Sequence, residues 1–256
     1  MTTRSILAND LTCDAFLGGR LNIWQPAKGY RAGVDPVFLA SAVNARSGQH
    51  VLELGCGVGV AALALARRCA VRVTGVELQA PYAELARRNA RENELEFAVV
   101  QGDLANFPQE LREKSFDHVM ANPPYFDRRR GTSSRDEGRE IAMGESTGLG
   151  DWVDVGVRRL KPKGYLTLIQ SADRLGDLLS VFDNRLGDIC VLPLAPRDGR
   201  DAERVIVRAR KGANGAMRIL APFVLHKGRH HQDGPNQYTN SANAVLREGH
   251  ALAADW

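Results

Sequence analysis

Val51-Leu52-Glu53-Leu54-Gly55-Cys56-Gly57-Val58-Gly59 constrains this chain more than any other stretch. Its apolar start, broken by a single acid, reads as a buried parallel strand. The alternating glycines behind it demand a tight turn and close backbone approach. Ala61, Ala62, Ala64 and Ala66, set among Leu63 and Leu65, predict a helix packed tightly on a sheet. Strand, glycine turn and helix together make a nucleotide-type binding turn, with amide N–H groups at the helix start facing a ligand. The spacing is G-x-G-x-G, with Glu53 ahead of it, and not the G-x-G-x-x-G of dinucleotide enzymes. A glycine turn alone can be a plain loop, so the residues after it decide.

They arrive in order. Glu77 closes a second strand-like run, Val71–Val76, about 20 positions after the turn, where folds of this kind hold a pair of ribose hydroxyls. A third run, Phe97-Ala98-Val99-Val100, ends near Asp103, and a fourth, Phe116–Ala121, leads into Asn122-Pro123-Pro124-Tyr125. Successive strands that each finish in a ligand-competent residue are what a parallel sheet with its site at the carboxyl edge requires. Any one of these acids alone would be an ordinary solvated carboxylate.

The rest of the chain predicts one α/β domain over residues 1–256, with a core at 48–211 flanked by extensions at 1–47 and 212–256. Gly18-Gly19 between alternating segments predicts a β-hairpin. Asp35-Pro36 predicts an N-cap and first turn for a helix running through Val43 and closed by Ser47-Gly48. Tyr30, Arg31 and Gly33, just upstream, are candidate walls for a bound cofactor. Ala80–Ala90 and Asp151–Arg159 predict helices, Lys161-Pro162-Lys163-Gly164 a turn, Tyr165–Gln170 a fifth strand and 173–185 another helix. Asp188–Leu194 and Ala202–Ala209 are expected to pair as an antiparallel hairpin. The expected sheet is therefore seven-stranded and mostly parallel, with its last strand reversed and helices on both faces. A short helix from Asn240 to Arg247 follows.

No run of 18 apolar residues predicts a membrane span, and Met1-Thr2-Thr3-Arg4-Ser5 lacks the apolar core of a secretory signal. Cys13, Cys56, Cys69 and Cys190 show no C-x-x-C or zinc spacing and read as reduced thiols of a cytoplasmic protein. His226 with His230-His231 lacks a third-ligand pattern, so no metal is expected. The net charge of +4 is mild but unevenly spread. Arg128, Arg129 and Arg130 follow Tyr125 closely, with Arg135 and Arg139 behind them, an electrostatic footprint for the phosphates of a nucleic acid.

Glu53-Leu54-Gly55-Cys56-Gly57-Val58-Gly59, Glu77, Asp103 and Asn122-Pro123-Pro124-Tyr125 resemble the ordered motifs of class I S-adenosylmethionine-dependent methyltransferases, which have a Rossmann-like fold. The Asn-Pro-Pro-Tyr form is similar to that of enzymes methylating a planar nitrogen. Asp14–Arg20, Gln25-Pro26, Gly29–Asp35 and the late Tyr238-Thr239 resemble the bacterial tRNA1(Val) adenine-37 N6-methyltransferase family. Where that family has Ala-Arg-x-Glu, this chain has Ala142-Met143-Gly144-Glu145.

The resemblance implies S-adenosylmethionine as cofactor, S-adenosylhomocysteine as product and RNA, most naturally a tRNA, as partner to a monomer or homodimer. It implies that Glu53, Gly55, Gly57 and Gly59 line the methionine portion of the cofactor. Glu77 would accept from the ribose hydroxyls and Asp103 from the adenine amine. Asn122 and the Pro123 carbonyl would accept from the target amine, and Tyr125 would stack the target base, with ~1–3 kcal/mol from such stacking. DNA-adenine and protein-glutamine methylation use the same acceptor geometry, and a non-catalytic cofactor-binding RNA module is the reading outside enzymology.

Overall fold

The computed structural model describes residues 10–124, 147–228 and 237–254. A hairpin of β1 (Leu11–Phe16) and β2 (Leu21–Pro26) turns at Gly18-Gly19 as expected. Helix α1 (Asp35–Ala42) leads to the main sheet: β3 (His50–Leu54), β4 (Arg72–Glu77), β5 (Phe97–Gln101), β6 (Phe116–Ala121), β7 (Leu160–Ser171), β8 (Leu186–Ala195) and β9 (Arg204–Lys211). Their spatial order is β5-β4-β3-β6-β7-β9-β8. The order reverses at β3, whose neighbours are β4 and β6, and that reversal opens a crevice at the carboxyl ends of the strands. Only β9 runs antiparallel to its neighbours β7 and β8.

Two further strands enlarge the expected seven to a nine-stranded sheet. β10 (Arg218–Ile219) and β11 (Phe223–Val224) both pair parallel with β8. Each covers two residues, too few to leave a periodicity in the sequence. Their effect is to occupy the otherwise open edge of β8, which would offer unpaired backbone groups to another chain.

Helices α2 (Val60–Arg68) and α3 (Ala80–Glu92) pack with α1 on one face, around Phe38, Leu63, Leu65, Ile169 and Ile206. Helix α4 (Gln109–Arg112) and helix α5 (Leu149–Arg159) cover the other, where Leu52, Leu54, Val119, Trp152 and Leu166 meet. Each fully buried Leu or Phe contributes roughly 1.5–3 kcal/mol against exposure. Strand alternation sends Leu52 and Leu54 to the α5 side and leaves Glu53 facing α2.

Some local expectations are corrected by tertiary contacts. Asp35 does not cap α1: Val34 holds the N-cap position, and the Asp35 carboxylate pairs with Arg204 of β9 at 3.3 Å. The helix stops at Ala42, short of Ser47-Gly48. Lys161–Gly164 is a bulge within a long β7 and not a free turn, because β6 pairs on both sides of it. In place of a helix over 173–185 there is a 3-10 turn (Ala172–Arg174) and a short α6 (Leu175–Ser180). The final helix, α7, spans Asn240–Leu246.

Candidate active site

The three turn glycines all hold positive φ, at 62° for Gly55, 54° for Gly57 and 90° for Gly59. Sterics add to backbone demand at two of them. A Cβ on Gly55 would lie 2.5 Å from the Trp152 ring, and one on Gly59 would lie 2.8 Å from the Phe97 ring. The turn is pinned by the Cys56 amide donating to the Val76 carbonyl at 3.0 Å and the Gly59 amide donating to the Cys56 carbonyl at 2.8 Å. Tyr30 lies against it, with a ring carbon 3.9 Å from the position a Gly57 Cβ would take.

Carboxylates gather beneath the turn. Glu77 Oε2 accepts the Gly57 amide at 2.8 Å, and its Oε1 accepts the Gln79 amide at 2.8 Å. An ionised carboxylate has about four lone-pair positions, so acceptor capacity remains for hydroxyl groups. Glu53 Oε2 accepts the Ala62 amide at 2.9 Å and so satisfies an orphan donor in the first turn of α2. Burial pushes the pKa of both acids above the usual carboxylate range, and the Glu77 charge adds to that of Glu53. Burial, then the charges of Asp35, Glu53 and Glu77, pushes the Tyr30 phenol up as well, so it stays a neutral hydroxyl. The acceptor oxygens of Glu77 beside the turn complement a positively charged ligand.

Asp103 stands just beyond the end of β5, one strand over from Glu77; the Gly102 amide donates to the Glu77 carbonyl at 2.9 Å. Its Oδ1 accepts the Ala105 amide at 2.9 Å. Arg31 is engaged elsewhere: its guanidinium bonds the Thr12 hydroxyl, the Pro26 carbonyl and, at 2.5 Å, the Asp14 carboxylate, all of the hairpin. Gly33 has open space where a Cβ would stand.

Asn122 sits directly beyond β6, whose Ala121 is in register with Leu54 at the foot of the glycine turn. Its side-chain oxygen is buried and has no hydrogen-bond partner among the described residues. An orphaned buried acceptor costs roughly 1–3 kcal/mol. Pro123 is buried, and the carbonyl of Pro124 accepts from Arg174 at 3.2 Å. Among the described residues Trp152 Nε1 and Gln170 Nε2 are also buried without partners, and Gln170 lies two residues past Leu168, which pairs with Ala121. Tyr125, Arg128, Arg129, Arg130, Arg135 and Arg139 lie outside the described residues, as do His230 and His231. His226 stacks on Tyr238 at 4.7 Å.

Three contributors are invisible in the linear sequence. Trp152 walls the turn, Arg174 fixes the Pro124 carbonyl, and Asn89 of α3 joins the hairpin to the glycine turn. The Asn89 amide group donates to the carbonyls of Trp24 and Val58 at 3.1 and 3.0 Å while its oxygen accepts the Trp24 amide at 2.8 Å. Each acts across tens of residues, and none sits in a motif. The one available signal was an asparagine inside an amphipathic helix, an uncommon place for that residue.

The buried acid predicts a pH effect. Because the folded pKa of Glu53 lies above its unfolded value of about 4.3, its ionisation costs stability as pH rises from the unfolded toward the folded pKa. Glu53→Gln keeps an oxygen for the Ala62 amide without the charge. Its Tm without cofactor is expected to exceed that of the parent at pH 8 by about 2–4 °C, equivalent to ~1 kcal/mol. The gap should close as pH falls below about 4, where both states of the parent become protonated. A gap that ignores pH in thermal scans would refute the assignment of this cost to Glu53.

A model of the methyltransferase domain matches residues 51–131. The chain is 33% identical over 196 residues to the tRNA1(Val) (adenine(37)-N6)-methyltransferase of Porphyromonas gingivalis strain ATCC 33277, covering 70% of this chain and 76% of that one. It is 30% identical to the protein of the same name from Aeromonas hydrophila, covering 72% and 78%. Among solved structures, a predicted O-methyltransferase, Atu636 of Agrobacterium tumefaciens, superposes with a TM-score of 0.69 at 25% identity, covering 87% of this chain and all of that one. The T. thermophilus 16S rRNA N2 G1207 methyltransferase RsmC, solved with AdoMet and guanosine, gives a TM-score of 0.56 at 21% identity over 78% of this chain and 50% of that one. The last shares the fold.

Proposed function

Because the chain belongs to the tRNA1(Val) (adenine(37)-N6)-methyltransferase family, we propose that it methylates the N6 amine of adenine 37 in a tRNA anticodon loop. It is an S-adenosylmethionine-dependent methyltransferase with the class I fold. The observation that carries the amine reading is the Asn122 side-chain oxygen, buried and without a partner among the described residues, one position past the Ala121 that pairs with Leu54.

The hollow fits the cofactor on its own chemistry. Gly55, Gly57 and Gly59 leave backbone where side chains would obstruct, Glu77 retains acceptor positions for ribose hydroxyls, and Asp103 offers a carboxylate one strand away. The acceptor oxygens of Glu77, held beside the turn by the amides of Gly57 and Gln79, suit a cationic sulfonium. Bound S-adenosylmethionine supplies an electrophilic methyl group, so no acid or metal is obligatory for the transfer.

The protein's task is to ready the nucleophile. An adenine N6 lone pair is delocalised into the ring, and hydrogen bonds from both of its protons draw the nitrogen toward tetrahedral geometry. Asn122 Oδ1 and the Pro123 carbonyl are the acceptors assigned to those protons. The paired prolines stiffen the corner, and Arg174 holds the next carbonyl, so the acceptors need no reorganisation during reaction. Alignment of this kind is worth several kcal/mol. Tyr125 is assigned to stack the base, which must leave its own stack, most easily in a single-stranded loop.

The direct test uses total tRNA from cells lacking the modification. Protein and labelled S-adenosylmethionine are added, and nucleosides are analysed by mass spectrometry; N6-methyladenosine at position 37 is expected. Label in protein or DNA alone would sink the RNA assignment. A separate test concerns the basic segment. Replacing Arg128, Arg129 and Arg130 by Ala is expected to weaken tRNA binding and lower the slope of log K against log salt by about 2–3, at ~0.7–0.9 per phosphate contact. An unaltered slope removes the segment from the interface.

A further inference from the structure

A cavity of 460 Å³ lies at the opposite edge of the sheet from Asn122, where β6 and β7 begin. Asp117 and His118 form part of its wall, and His118 stands about 13 Å from Asn122 at ~3.3 Å per strand residue. Its volume falls in the small-ligand range of roughly 300–1,000 Å³. The methyl-transfer site uses none of its residues.

Its charge is one-sided. Among the described residues, Arg46, Lys161, Lys163 and Arg208 line it against one carboxylate, that of Asp117. The Lys161 ammonium donates to both oxygens of that carboxylate at 2.9 Å. The exposed side chains of Arg46 and Lys163 make no hydrogen bond or ion pair among the described residues, so positive charge is left over at the rim. Tyr165 already stacks on His118 and lies under the Arg208 guanidinium, which leaves recognition to cations and lone pairs more than to base stacking.

Two features mark the cavity as built. The first is the bulge of β7, which carries Lys163 to the rim at φ 65°, a conformation that non-glycine residues rarely adopt. Gly164 is required beneath it, since a Cβ there would fall 2.8 Å from the Asp117 carbonyl oxygen. The second is His118, which is 4% exposed. Gln49 Oε1 accepts the Arg46 amide at 2.7 Å, so the same oxygen, 3.2 Å from His118 Nε2, makes that nitrogen the protonated one. Nδ1 is then a bare acceptor, buried and without a partner among the described residues. Burial lowers the imidazole pKa to about 4, so the ring stays neutral.

We propose that this cavity binds a small phosphate monoester bearing hydroxyl groups, of the sugar-phosphate class. Arg46 and Lys163 take the phosphate, and His118 Nδ1 accepts from a hydroxyl. The phosphate comes from a free sugar phosphate or from the 5′ end of an RNA, and the two sources are separable.

Calorimetric titrations on protein saturated with S-adenosylhomocysteine keep the cofactor site closed to the probes. Ribose 5-phosphate is expected to bind saturably, with ribose at least ~10-fold weaker, because charge-assisted contacts to the phosphate are then lost. The Arg46→Ala/Lys163→Ala double variant changes only rim side chains; it is expected to bind ribose 5-phosphate at least ~10-fold more weakly with an unaltered Tm. An RNA oligonucleotide carrying a 5′-phosphate is compared with its 5′-hydroxyl twin. If only the phosphorylated RNA shows the loss in the double variant, the site stands and its source is the RNA terminus. If neither phosphate probe saturates, or if the double variant binds both as the parent does, the proposal is overturned. The double variant is expected to keep the parent's kcat for methyl transfer, with a raised KM for 5′-phosphorylated tRNA only if the source is the RNA terminus, so this test and the test of the RNA methylation reading fail separately.

Discussion

Asn122→Ala is expected to lower methyl transfer to tRNA by at least ~10²-fold, the usual cost of deleting one preorganised polar contact to a transition state. Affinity for S-adenosylmethionine should stay nearly unchanged. The split follows from where the side chain stands: beyond β6, its oxygen is buried without a partner among the described residues and is bonded to none of the turn. Removing an orphaned acceptor also relieves a desolvation cost, so Tm should hold or rise slightly. Single-turnover rates and calorimetric cofactor titrations separate these quantities. Equal losses in rate and cofactor affinity would make Asn122 a structural residue of the turn.

Gly55→Ala is expected to be the most damaging single methyl group in the glycine turn. The backbone there sits at φ 62°, which costs an L-residue roughly 1–2 kcal/mol. The new Cβ would also stand 2.5 Å from Trp152, and overpacking of that kind costs about 1–3 kcal/mol. The indole can only retreat into the close-packed α5 face, where Leu52 and Leu54 already lie. Together these predict a loss of about 2–5 kcal/mol of stability and a collapse of cofactor affinity, readable by denaturant titration and by calorimetry. Gly33→Ala makes a useful contrast, because nothing lies within 4 Å of its added Cβ. If the two variants were equally stable, the close approach of Trp152 would not be a constraint on the turn.

Much of this was legible in the chain. The alternation of strand and helix from Val51 to Ala121 is local, each strand has the length and apolar content of a parallel core strand, and the ligand-competent residues fall at strand ends. Glu77 shows the limit of that legibility: its position predicts a ligand contact, yet two of its lone pairs are spent on the amides of Gly57 and Gln79. Asp35 shows the same limit differently. Its local context favours an N-cap, and an arginine 169 residues away claims it for an ion pair instead.

By itself the sequence determined the order of the elements, the glycine turn and the Asn-Pro-Pro corner, because turn conformation, proline rigidity and strand periodicity are set within a few residues. Tertiary structure alone decided that Trp152 walls the turn, that Arg174 fixes the corner, that β10 and β11 close the sheet edge, and that a basic cavity opens at its far side. Those facts depend on which distant segments the sheet brings together, and a chain has no local energy term that records a contact across 50 or more residues.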